Sequence, residues 1–359
     1  MYSFEPNEEQ QMLIDAVSRY AEDLREAAEE AEEHARFPEG LVEKGWEMGV
    51  LQASIPEVYG GFGDYSSVTG VLAAEELAYG DLPAALAVMT PNLFVLPILL
   101  AGSEVQKERF IPPVIEMEWK AYTAALIEPI FNFDPTELKT TAVADGDDFV
   151  ISGKKTYVPY AKDAEMMIVY ANVNGVTQGF IVPAGAEGLT VGEENKLMSM
   201  HALLQYDLEL VNVRVPAENR LGGDFRAVLA ASHVGLAALA IGVAKASLDY
   251  AINYAKDREV FGVKVAQKQA MAFMMAEMAM EIESTRMLTW EAAWKLDTEK
   301  EDAYKSAYLA ATSAIDMVMM VTDRGVQILG GHGYIREHPV ERWMRNGRGF
   351  ATFTGLAIV

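Results

Sequence analysis

Apolar residues recur at helical spacing through Glu8–Glu33, and further helical segments run to Trp119, interrupted by a Gly-rich break at Gly60–Gly63 and by prolines at 56, 91, 112 and 113. From Ala217 to His338 there is no proline, and the stretch is rich in Ala, Met, Leu, Glu and Lys, which predicts long helices. Asp224 is placed to cap a helix reaching about Tyr254. Others are expected from Gln267 to about Leu296, from Glu301 to about Leu329, and after Pro339, with glycines at 330, 331 and 333 stopping the third. Four such helices predict an antiparallel bundle. The middle of the chain differs. Thr140–Val150 and Ile151–Val158 flank Asp145–Gly146, and Met166–Val173 and Val176–Val182 flank Asn174–Gly175; both dipeptides are hairpin signals between β-prone runs. Gly188–Val191 and Asp207–Val215 add two strands. The expected fold is α+β, with a helical domain over 1–121, an antiparallel β domain over 122–221 and a helical bundle over 222–359.

Composition narrows the function classes. The 359 residues are 51% hydrophobic and 23% charged, as in a soluble globular chain of two or three domains. The net charge of −24 repels phosphate backbones and anionic lipid, so no nucleic-acid partner and no membrane surface is expected. The apolar runs Val228–Leu248 and Ala84–Leu100 carry polar residues or proline and read as buried helices rather than membrane spans. No cysteine is present, which excludes disulfides, thiol nucleophiles and thiolate metal sites. MYSFEPNEEQ has no leader pattern, so a cytoplasmic location is expected. Among five histidines no pair has the i, i+4 spacing of a helical metal site, and each is expected to be structural. Gly330-Gly331-His332-Gly333 follows a helix, so it is no strand-to-helix phosphate loop.

Local strings go further. IPEVYGGFG (Ile55–Gly63), GSEVQKERFIPP (Gly102–Pro113), DGDDFVISGKKTYV (Asp145–Val158), VRVPAENRLGG (Val213–Gly223), REVFGVKVAQKQ (Arg258–Gln269) and QILGGHGYIREHPVERWMRN (Gln327–Asn346) resemble the acyl-CoA dehydrogenase family in order and spacing, over about residues 4 to 356. The resemblance implies helical, β and bundle domains in that order. It also implies FAD held between subunits, an acyl-CoA thioester oxidised between Cα and Cβ, and electron-transfer flavoprotein as acceptor.

That chemistry needs a carboxylate to take the Cα proton. The family's Tyr-Glu-Gly-Thr string reads Phe353-Thr354-Gly355-Leu356 here, and a threonine supplies no base near neutral pH. The family's alternative position, on the first bundle helix, falls on Ser232. His233, beside it, has two readings: an imidazole base, or a passive replacement for an arginine found in many relatives. No catalytic residue is therefore assigned.

The resemblance also divides the cofactor site. The loop that holds the flavin ring edge reads Ile127-Glu128-Pro129-Ile130-Phe131-Asn132-Phe133-Asp134, with bulky side chains where the family has threonine, glycine and serine. The Trp-Ile-Thr string reads Tyr157-Val158-Pro159, and Pro159 has neither hydroxyl nor N–H. The residues matching the pyrophosphate and adenosine end are retained: Arg258, Phe261, Gln269, Gln327, Gly330 and Gly331. This asymmetry implies a subunit of an α2β2 assembly whose homologous partner carries the base. The alternatives are a homotetrameric flavoprotein of other chemistry and a scaffold without FAD.

Overall fold

The computed structural model describes residues 6–116, 118–351 and 353–359. Its first helices are α1 (Glu8–His34), α2 (Leu41–Trp46), α3 (Ser67–Gly80), α4 (Leu82–Val88), α5 (Asn92–Ala101) and α6 (Glu104–Phe110). Asn7 and Gln10 start α1 with reciprocal side-chain-to-backbone bonds, and Ser103 with Gln106 does the same for α6.

Seven strands follow: β1 (Tyr122–Ala125), β2 (Thr141–Asp145), β3 (Asp148–Pro159), β4 (Met166–Val173), β5 (Val176–Pro183), β6 (Leu189–Glu194) and β7 (Gln205–Pro216). They pair in the order β1-β4-β2-β3-β7-β6, with β5 also on β4. Asn174 and Gly175 form the β4–β5 loop with φ of 51° and 90°, the left-handed pair a two-residue hairpin needs. The other hairpin closes one residue later than the Asp145–Gly146 dipeptide suggests, because Asp145 pairs with Asp148 around Gly146–Asp147. The sheet is antiparallel except where β1 runs parallel to β4 and Thr141 to Asn172. β1 reaches β4 by a crossover through β2 and β3, so no hairpin dictates its direction.

The bundle consists of α7 (Phe225–Asp257), the short hairpin β8 (Glu259–Val260) and β9 (Val263–Lys264), α8 (Gln269–Asp297), α9 (Ala303–Leu329) and α10 (Val340–Phe350). Asp224 caps α7 by accepting the Arg226 N–H, and Gly330, at φ 60°, ends α9. The fourth helix has 11 residues, against 33, 29 and 27 for the others. α7 is apolar and long enough to cross a membrane, but 83% of its most apolar window is buried inside the fold. It is the central helix, packed by α3, α8 and α9. Gly242 lets α3 approach, since a Cβ there would strike the Glu75 carbonyl.

Candidate functional site

The two positions expected to hold a base come together. Ser232, on the second turn of α7, is 3% exposed, and its Oγ accepts the Gly355 main-chain N–H at 3.0 Å. Thr354 is half-buried beside it. The surroundings are apolar: Leu93, Pro97, Leu126, Phe225 and Val228 line a cavity of about 20 Å³ that Ser232 and Gly355 close. That is room for about one water. His233 meets the Tyr308 ring of α9 edge-on, with centroids 5.8 Å apart. Burial pushes its imidazole down to about 4, which leaves it neutral and weakly basic at pH 7.

The loop after β1 is anchored from inside. Glu128 Oε1 accepts from Lys155 Nζ at 3.0 Å and from the Thr140 N–H at 2.8 Å, while Oε2 accepts the Lys139 N–H at 2.7 Å. Lys155 Nζ also donates to the Leu126 carbonyl at 3.0 Å. Burial works against the Glu128 carboxylate, but Lys155 and the two amides outweigh it and hold it below the ordinary carboxylate range. Burial pushes Lys155 down to about 8, with Glu128 opposing, so both are charged at neutral pH. The sequence alone gives neither residue a role; the available signal was the Glu128 carboxylate between the apolar Ile127 and Pro129-Ile130.

Beyond this anchor the loop turns outward. Ile127 is buried and its carbonyl accepts the Thr156 N–H at 3.0 Å, whereas Ile130 and Phe131 are exposed and Phe133 is half-buried against the core. Asp134 Oδ1 accepts from the Thr136 N–H and hydroxyl at 2.8 and 2.7 Å. Across from the loop, the β3–β7 register slips between Lys155 and Val158, and Tyr157 adopts φ 54°. Its ring packs on Phe353, centroids 4.7 Å apart and tilted 35°. Pro159 ends β3 opposite Gln205, buried and without an N–H to offer. These residues do not fit a flavin ring: the aromatic pair closes on itself, and two donors are missing.

The remaining six predicted residues gather at one end of the bundle. Arg258 terminates α7, with its N–H on the Tyr254 carbonyl at 2.8 Å and its own carbonyl accepting the Val265 N–H at 2.9 Å. Phe261 and Gly262 form the β8–β9 loop at φ 56° and 75°. Gln269 opens α8 and Gln327 lies in the last turn of α9; a 2.7 Å Arg324–Glu277 ion pair ties those two helix ends together. All six residues are exposed, Phe261 at 94%. Arg258 has no ion-pair partner among the described residues, although Asp257 and Glu259 flank it. Nothing lies within 4 Å of where a Cβ would stand on Gly330 or Gly331, so their backbone is open to approach. Their turn is braced by histidines. His332 Nδ1 bonds Tyr254 Oη at 2.8 Å, His338 Nδ1 bonds Tyr250 Oη at 2.7 Å, and the imidazoles stack 5.4 Å apart. Among the described residues no histidine and carboxylate cluster could hold a metal. An unpaired guanidinium, two amides and open glycine backbone fit a pyrophosphate-bearing group.

Three profiles match the chain: the acyl-CoA dehydrogenase N-terminal domain over residues 7–118, the middle domain over 123–213 and the C-terminal domain over 225–357. The caffeyl-CoA reductase-Etf complex subunit CarC of Acetobacterium woodii is 35% identical, over 98% of this chain and 96% of that one. Butyryl-CoA dehydrogenase from Megasphaera elsdenii superimposes with a TM-score of 0.87 at 32% identity, covering 97% of this chain and 94% of that one. A glutaryl-CoA dehydrogenase from Mycobacterium smegmatis in complex with FADH2 gives 0.86 at 25% identity, covering 98% and 92%. With all three of its domains matched in order, the chain belongs to the acyl-CoA dehydrogenase family.

Proposed function

We propose that this chain is the base-lacking subunit of a heteromeric, α2β2 acyl-CoA dehydrogenase, and that it lends the pyrophosphate and adenosine half of an FAD site to a homologous partner. FAD, when bound there, supplies the hydride acceptor for Cα–Cβ oxidation of an acyl-CoA thioester. Arg258 would meet the pyrophosphate, with Gln269, Gln327 and the Gly330–Gly331 backbone beside it. The partner supplies the carboxylate base and the ring pocket. An Etf-complex subunit among the relatives supports electron-transfer flavoprotein as the acceptor.

One observation carries the reading: the exposed, unpaired Arg258 end of the bundle fits its group, while the Ser232–Gly355 junction and the Tyr157–Phe353 stack do not fit theirs. Co-expression with a homologous dehydrogenase subunit tests it. The chain purified alone should be colourless and inactive toward saturated acyl-CoA, and the co-purified complex yellow and active. A yellow homotetramer would point to different chemistry on the same scaffold, and a colourless, inactive complex would remove the cofactor role.

A further inference from the structure

The segment beyond Gly355 turns inward. Leu356, Ala357, Ile358 and Val359 are all buried. Ile358 and Ala357 help line the small cavity at Ser232, and Val359 lines a second cavity of about 20 Å³ with Gly70, Ala74, Leu77, Asn92 and Leu96. The segment therefore fills the space between α3, α5 and α7, leaving room for about one water on either side.

That space is shaped for it. A Cβ on Gly70 would stand 2.8 Å from the Val359 Cβ, and one on Gly235 3.3 Å from the Val359 nitrogen. Both flanking helices carry glycine where the segment passes. Tyr65 Oη donates to the Val359 main-chain oxygen at 2.8 Å and Asn92 Nδ2 to the Ile358 carbonyl at 3.3 Å, so main-chain oxygens in an apolar interior find partners. The path starts at the junction of the two base positions. An acyl chain with its Cα presented at that junction would have to extend into the volume these side chains fill.

We propose that Leu356–Val359 is a built-in occupant of the acyl channel, which bars saturated acyl groups from this subunit and leaves their binding to the partner. This deepens the function proposed above and rests on it. The four side chains and their backbone take up a few hundred Å³, the scale of a small-molecule pocket.

The test uses three forms of the chain and two probes, octanoyl-CoA by calorimetry and cis-parinaric acid by fluorescence. The unmodified chain is expected to bind neither probe. A chain ending at Gly355 is expected to bind about one parinaric acid per copy. Because that truncation can unfold the protein, a Tyr65→Phe, Asn92→Ala double variant is measured alongside. It removes the two bonds holding the segment, together with the Ser67 hydroxyl's bond to Tyr65 Oη, and should take up parinaric acid measurably where the unmodified chain takes up none. Octanoyl-CoA binding by the unmodified chain would overturn the occupant. So would a folded truncation that binds nothing, or a folded double variant with unchanged affinity. Acyl binding without turnover overturns this inference alone; turnover by the partner-free chain overturns the function on which it rests.

Discussion

Ser232 Oγ and the Gly355 main-chain N–H, 123 positions apart in the chain, share one hydrogen bond of 3.0 Å, which ties Ser232 to the residue that follows Thr354. Ser232→Ala should leave the part-buried Gly355 N–H without its partner and lower stability by about 1 kcal/mol. A denaturant midpoint indistinguishable from wild type would show that the bond holds nothing in place.

Restoring a carboxylate should not restore chemistry. Thr354→Glu places an acid beside Ser232, yet Ile127, Phe133, Pro159 and the Tyr157–Phe353 stack still close the ring side. The purified variant is expected to show no acyl-CoA turnover with an artificial electron acceptor. Turnover above wild type would mean that the base alone was missing.

Arg258→Ala should weaken flavin retention in the assembled complex by about ten- to a hundred-fold, the scale of one charge-assisted bond of roughly 1.5–3 kcal/mol. Folding should be untouched, because the side chain is exposed and makes no ion pair among the described residues. Arg258→Lys should rescue in part, since a point charge lacks the planar fork. The visible-to-ultraviolet absorbance ratio after dilution and re-concentration reads the effect, and equal ratios would assign the arginine to the hairpin alone.

Asp81 gives a pH signature. It caps α4, accepting the Ala84 N–H at 3.2 Å, and burial raises its carboxyl from 3.8 to about 7, with Arg342 and Arg25 opposing and Glu32 adding to the rise. Between those values the native state binds the proton more tightly than the unfolded chain, so this group removes stability as pH rises from about 4 to about 7. Asp81→Asn keeps a capping acceptor and cannot ionise. Its urea midpoint should gain on wild type steadily across that window and stay parallel above it. A constant difference from pH 4 to 8 would show that Asp81 titrates normally.

Much of this architecture was readable from residue order, for identifiable reasons. The Asp224 cap, the Asn174–Gly175 turn and the glycine stop after α9 are local events, set by a few neighbouring residues. The parallel pairing of β1 depends on a partner distant in the chain, and the one-residue shift of the Gly146–Asp147 loop on which residues of the two strands pair, which the dipeptide alone does not fix. The site divides in the same way. Empty base positions and altered loop residues could be found by matching strings. That Ser232 meets Gly355, that Tyr157 stacks on Phe353, and that two tyrosines hold His332 against His338 are tertiary contacts with no local signature.

The Glu128–Lys155 anchor has a consequence for how readily such a subunit can change. The loop's position is set by bonds from Glu128 to Lys155, Lys139 and Thr140, all inward of its tip, whereas Ile130, Phe131 and Asn132 project into solvent. Substitutions at Ile130 and Phe131 therefore leave the anchoring network intact and should move stability by less than about 0.5 kcal/mol, whereas Asn132, at φ 54°, favours a residue that tolerates the left-handed conformation. Ile130, the altered loop residue that lies at this tip, is thus free to change, because folding places almost no selection on it, whereas Ile127 and Phe133 are held against the core. The same independence runs backwards: small residues can be put back at the tip without disturbing the core.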